Sequence, residues 1–158
     1  MDTNKDLNSP ESLSDDKIRK LASEYLKAAL PLHLFFIISG LAGFMFIFIS
    51  HTPLIQTIVG ITGGVAFIFA VPSAITSLVA ASRIKKRNFM WTTGTITRYT
   101  IHWVSRTTYI YAVIDEQHFC NIWSNPVYSK NTEVYLLSTG KNGPVSQSVL
   151  VRCDKVES

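Results

Sequence analysis

The sequence predicts a membrane α-helical hairpin of two transmembrane helices followed by an all-β small barrel, OB-like or SH3-like, of about five antiparallel strands. Three observations carry the prediction. Ala28 to Ser82 is a run of 55 residues without Asp, Glu, Lys or Arg. A polar break, Ser50-His51-Thr52-Pro53, falls near its middle. After Arg87 the apolar spacing changes from helical to alternating, and β-branched and aromatic residues dominate.

Residues 1–13 are polar and lean acidic, with neither the basic start nor the short apolar core of a cleavable signal peptide. They predict a disordered N-terminus and a retained anchor. Ser14 then fits a helix N-cap. Ile18, Leu21, Ala22, Tyr25 and Leu26 recur at i, i+3, i+4, i+7 and i+8, which predicts an amphipathic helix over residues 14–29. Lys17, Arg19, Lys20 and Lys27 flank that stripe, so it suits either anionic lipid or a seat on the β domain, and the sequence leaves both open.

A span needs about 20 apolar residues to cross a hydrocarbon core of about 30 Å, so residues 30–82 hold two spans and not three. The expected spans are Leu30 to Ile49 and Leu54 to Ala80, the second kinked at Pro72. Small residues suggest how the helices meet. Gly60 and Gly64 form a GxxxG pair, Ala66, Ala70 and Ala74 continue it, and Ser39 and Gly43 match them on the first span. His33 and His51 invite a proton relay, but 18 residues of helix separate them by about 27 Å.

The formal charge of +4 needs apportioning before it is used. Residues 1–27 carry five basic and six acidic side chains, and residues 88–158 carry six and five. The excess therefore lies in Arg83, Lys85, Lys86 and Arg87, the basic juxtamembrane linker of residues 83–90. With Lys27, and with Trp91 four residues further on, these side chains read as topology and lipid-headgroup residues, so both termini are expected in the cytoplasm. In a bacterium the membrane would be the inner one. A basic face for nucleic acid is not expected.

The β region, residues 91–155, predicts strands at Thr95 to Trp103, Thr107 to Ile114, His118 to Trp123, Thr132 to Leu137 and Ser148 to Cys153. Its aromatic residues are too many for a barrel of that size to bury. Tyr109, Tyr111, Trp123 and Tyr128 are the candidate partner face. The two-span anchor, the basic linker, Gly94-Thr95-Ile96, Trp123 and the run from Tyr128 to Leu136 together resemble the NfeD-like barrels of small bacterial membrane proteins. Asn131 stands where such barrels place a turn glycine, and asparagine tolerates the left-handed conformation. The resemblance implies partners of the stomatin or flotillin type and an assembly role.

Catalytic constellations are not evident. Cys120 with His118 is the nearest approach to a nucleophile and base, and no carboxylate completes it. Two cysteines 33 positions apart and four scattered histidines lack metal-ligand spacing. The expectation is a non-enzymatic membrane protein without cofactor, metal or small-molecule substrate, whose β domain binds or regulates a protein partner or a second copy. An immunity or exclusion protein and an accessory subunit of a transporter are the alternatives.

Overall fold

The computed structural model describes residues 7–49, 52–104, 107–122, 125–139 and 148–158. Ser14 opens α1 (Asp15–Ile49): its Oγ accepts from Lys17 N at 3.3 Å and its carbonyl from Ile18 N at 3.1 Å. Proline occupies the first position of α2 (Pro53–Lys85), where its missing N–H has no helical partner to lose. Both helices are long and apolar enough to cross a membrane. At 35 residues α1 is about 52 Å long, so it outreaches a hydrocarbon core of about 30 Å by several turns.

The helices pack antiparallel, and glycine decides where. A Cβ on Gly40 would stand 2.9 Å from Gly63 O, and Gly43 lies against Gly63 and Val59. Gly60 meets Ile47, while Gly64 faces open space and Ser39 is exposed. The crossing is thus Gly40 and Gly43 against Gly63, one position from the expected Ser39 and Gly64. Ala70 and Ala74 are buried and Ala66 is half-buried. Hydroxyls inside α2 return to the preceding turn: Ser73 Oγ donates to Phe69 O at 2.9 Å and Thr76 Oγ1 to Pro72 O at 2.8 Å.

Five antiparallel strands follow, β1 (Met90–Val104), β2 (Thr107–Ile114), β3 (His118–Asn121), β4 (Glu133–Ser138) and β5 (Ser148–Arg152), in the order β3-β2-β1-β4-β5. A short helix, α3 (Cys153–Glu157), ends the chain. The sheet does not close, which corrects the expected barrel. β3 has four residues and makes no strand ladder with β5, and the side chain of Asn125 occupies the gap instead.

The long β1 joins the two halves of the sheet. It pairs with β4 up to Thr95, shifts register between Ile96 and Arg98, and pairs with β2 beyond. The bulge exchanges the faces that successive side chains occupy. At the junction Thr95 N donates to Asp115 Oδ1 at 2.9 Å, and a Cβ on Gly94 would collide with the Asp115 carboxylate and the Ile114 side chain. Only glycine lets the strand pass so close. Asn131 has φ 63°, the left-handed conformation expected of it.

Two cores lie on opposite faces of the sheet. The inner one holds Ile96, Ala112, Ile114, Cys120, Val134, Leu136 and Leu150. The outer one sets Tyr135, Leu137, Val149, Val151 and Cys153 against Ile18, Leu21, Ala22, Tyr25 and Ala29 of α1 and against Ala80, Ala81 and Ile84 of α2. The amphipathic stripe of residues 14–29 is therefore continuous with the first apolar helix and seated on the sheet. Ile18, Leu21, Ala22 and Tyr25 are covered by the sheet and α2, while Leu26 is only partly buried.

Two further expectations change. Residues 7–13 are structured: Asn8 pairs with Trp91 through Asn8 N to Trp91 O at 2.7 Å and Trp91 N to Asn8 O at 3.0 Å, and Leu13 is buried. Residues 1–6 lie outside the described residues. The linker of residues 83–90 is no separate segment: its first three residues end α2 at Lys85, then Lys86 and Arg87, the latter with φ 56°, form a turn, and β1 starts at Met90.

Candidate functional site

β1 leaves β4 after Thr95 and β3 pairs with β2 only at Tyr111 to Ile114, so Ile101 to Val104 and Thr107 to Ile110 form a two-stranded ribbon. Among the described residues it is met only at its base, where Ile122 N donates to Ile110 O at 3.1 Å. Its cross-strand pairs are Ile101 with Ile110, His102 with Tyr109 and Trp103 with Thr108. Side chains alternate across a strand, so each face of the ribbon has its own chemistry. One face carries Ile101, Trp103 and Ile110, which are 59%, 78% and 37% exposed. These residues continue the line of the inner core past the point where any of the described residues covers it.

The other face is aromatic. The His102 ring stands edge-on to Tyr111 at 5.6 Å and to Phe119 at 6.3 Å, and Tyr109 lies 6.3 Å from Tyr111. Tyr109 and Tyr111 of the expected partner face thus sit together here, with His102 and Phe119. Those two were not part of the expected partner face, although Phe119 belongs to the aromatic surplus, and the register of β1, β2 and β3 is what brings them in. Tyr128 is elsewhere. Its carbonyl accepts from Tyr99 Oη at 2.6 Å, its ring packs on the inner core, and burial pushes its phenol up to about 12. Trp123 lies outside the described residues.

The basic residues divide. Arg87 donates to Asp15 Oδ1 at 2.6 Å and to Pro10 O at 3.0 Å, holding the N-terminal segment, and Arg83 donates to Thr139 O at 2.8 Å. Trp91 also faces inward, contrary to its expected place at the lipid surface. Its Nε1 donates to Ser9 O at 3.0 Å, and its ring lies against Tyr135. Lys27 pairs with Glu24 at 2.6 Å, while Lys85 and Lys86 are exposed.

His33 does have a polar neighbour, though it is not His51, which lies outside the described residues. Its Nε2 is 3.5 Å from Ser77 Oγ, and Tyr25 Oη donates to that same oxygen at 3.4 Å. A serine beside an imidazole suggests a nucleophile, but Ser77 is fully buried and its hydroxyl already donates to Ser73 O at 3.0 Å. The cluster joins the helices and presents no surface to a substrate. Tyr25 and Ser77 are 52 positions apart, and nothing in the spacing of either pointed to the other.

Neither thiol offers chemistry. Cys120 is buried in the inner core beside Asn125 Nδ2 at 3.5 Å, and burial pushes its thiol well up. Cys153 is buried in the outer core, where desolvation pushes it up to about 11. The two face opposite sides of the sheet and are unpaired. Among the described residues no three His, Cys, Asp or Glu side chains gather as metal ligands.

Comparison with protein-family models, with curated proteins and with solved structures returns no match to this chain.

Proposed function

We propose that this chain is a non-enzymatic integral membrane protein, anchored by α1 and α2, whose sheet binds a protein partner through the β1–β2 ribbon. The observation that carries the binding role is Trp103, 78% exposed beside Ile101 and Ile110, at the end of a ribbon with no third strand among the described residues. An isolated two-stranded ribbon is marginal in water, and an apolar surface there calls for a cover. A protein segment suits it best, because it alone offers both side chains for that surface and main-chain groups for a strand edge.

The anchor rests on exposure. Leu34, Phe35, Phe36 and Ile38 project from successive faces of α1, and Ile58, Ile61, Val65 and Ile68 do so from α2. Only 11% and 6% of the two apolar windows are buried, whereas the core helix of a water-soluble protein is mostly buried. The basic residues flanking the spans favour both termini in the cytoplasm. The NfeD-like resemblance belongs to the same proposal and makes a stomatin- or flotillin-type scaffold the partner class, although an open sheet departs from the barrel it implies.

A photo-crosslinking residue placed at Trp103 in cells tests the binding role, with the same residue at Lys155 as a distant control. A discrete protein adduct at Trp103 alone, weakened by Ile101→Ser, supports it. Adducts of equal yield at both positions, or none at Trp103, defeat it. Resistance of the protein to alkaline extraction from membranes tests the anchor separately.

A further inference from the structure

A groove of about 500 Å³ runs along α1 where α2 ends. Its lining has two chemistries. Arg19, Lys27 and Lys85 stand at one end with Ser23, and Leu26, Leu30, Pro31 and Leu34 form the rest. We infer that this groove binds one anionic phospholipid, with its phosphate between Arg19 and Lys85 and an acyl chain along Leu30 and Leu34.

The inference rests on the membrane reading above and adds a ligand to it. Depth is the first argument. Leu30 begins the first apolar span, and Lys85 is the last residue of α2, so the groove lies at the level where headgroups meet hydrocarbon. Charge is the second. Lys27 is paired with Glu24 at 2.6 Å, which leaves Arg19 and Lys85, both exposed, as the cations turned to a ligand. A guanidinium and an ammonium facing one site suit a phosphate, the first by a planar fork and the second as a point charge.

The shape of the helix supplies the third argument. Pro31 has no N–H to give the Lys27 carbonyl, so an acceptor remains at the rim for a headgroup hydroxyl. The apolar wall below then separates a lipid from a free anion. Inorganic phosphate has no use for Leu26, Leu30 and Leu34, whereas an acyl chain does.

Native mass spectrometry of the detergent-solubilised full chain, titrated with phosphatidylglycerol or phosphatidylcholine, tests the site. One phosphatidylglycerol should bind on the order of tenfold more tightly than phosphatidylcholine, and Arg19→Gln with Lys85→Gln should remove that preference. Lys86→Gln is the control, since Lys86 is equally exposed and lies outside the groove. Equal binding of the two lipids overturns the inference, as does a loss with Lys86→Gln equal to that of the double variant. Displacement by millimolar inorganic phosphate would show a simple anion site and would also overturn it. A protein that resists alkaline extraction yet shows no lipid preference loses the groove and keeps the anchor.

Discussion

The side chain of Asn125 pairs with the backbone of Leu150 as a neighbouring strand would, its Oδ1 accepting from Leu150 N at 3.1 Å. Its Nδ2 donates to Ser148 O and to Asn121 O, each at 2.7 Å. One amide thus bridges β3 and β5 across the opening of the sheet. Asn125→Ala should destabilise the protein by about 2–3 kcal/mol, because it leaves buried main-chain groups without partners. Denaturant unfolding in mild detergent measures this, and a change under about 0.5 kcal/mol would show that water replaces the amide.

Gly40 on α1 and Gly64 on α2 make opposite forecasts. Gly40→Ala places a Cβ 2.9 Å from Gly63 O and 3.1 Å from Phe67 Cβ, so the helices must separate, at a cost of about 1–3 kcal/mol. Gly64→Ala meets nothing within 4 Å and should be neutral or slightly stabilising through helix propensity. Titration with a denaturing detergent compares the two. Equal losses would mean that the helices cross elsewhere.

Alkaline pH should weaken the fold through Cys153. Its ordinary value is 9.0 and burial among apolar side chains raises it to about 11, so the folded chain keeps a proton that the unfolded chain has lost between those values. Stability is full below pH 9 and declines as the pH rises towards 11. Cys153→Ala should reduce the slope of unfolding free energy against pH in that window. A slope unchanged by the substitution would assign it to other groups.

The turn between β2 and β3 holds two successive left-handed residues, Asp115 at φ 48° and Glu116 at φ 56°. Glycine adopts this conformation without strain. Glu116→Gly should therefore stabilise the protein by about 0.5–1 kcal/mol, even though it removes the exposed Arg98–Glu116 ion pair at 3.0 Å. An Arg98→Ala background separates the contributions, and a loss of stability in that background would contradict the strain argument.

The elements were legible in the sequence because each follows from local pattern. The helices follow from the uncharged run and its break, and the strands from alternation and the turns between them. The Asn131 turn was legible for the same reason: asparagine tolerates φ 63° at that one position. Which aromatic side chains share a face was legible only in part. Tyr109 and Tyr111 share a strand, so their common face is a matter of counting by two, but Tyr128 lies in an irregular segment where no period applies.

What the sequence determined by itself was the presence and order of the two apolar helices and the five strands, since hydrophobic spacing and Pro, Gly and charge placement act within a few residues. The tertiary structure decided the rest. Trp91 turned towards Ser9 and Tyr135 instead of lipid, Arg87 clasped Asp15, the stripe from Ile18 to Tyr25 sat on β4 and β5, and the sheet stayed open at Asn125. Each of these pairs residues more than 20 positions apart, and which apolar face covers which is set by competition among surfaces that no local pattern ranks.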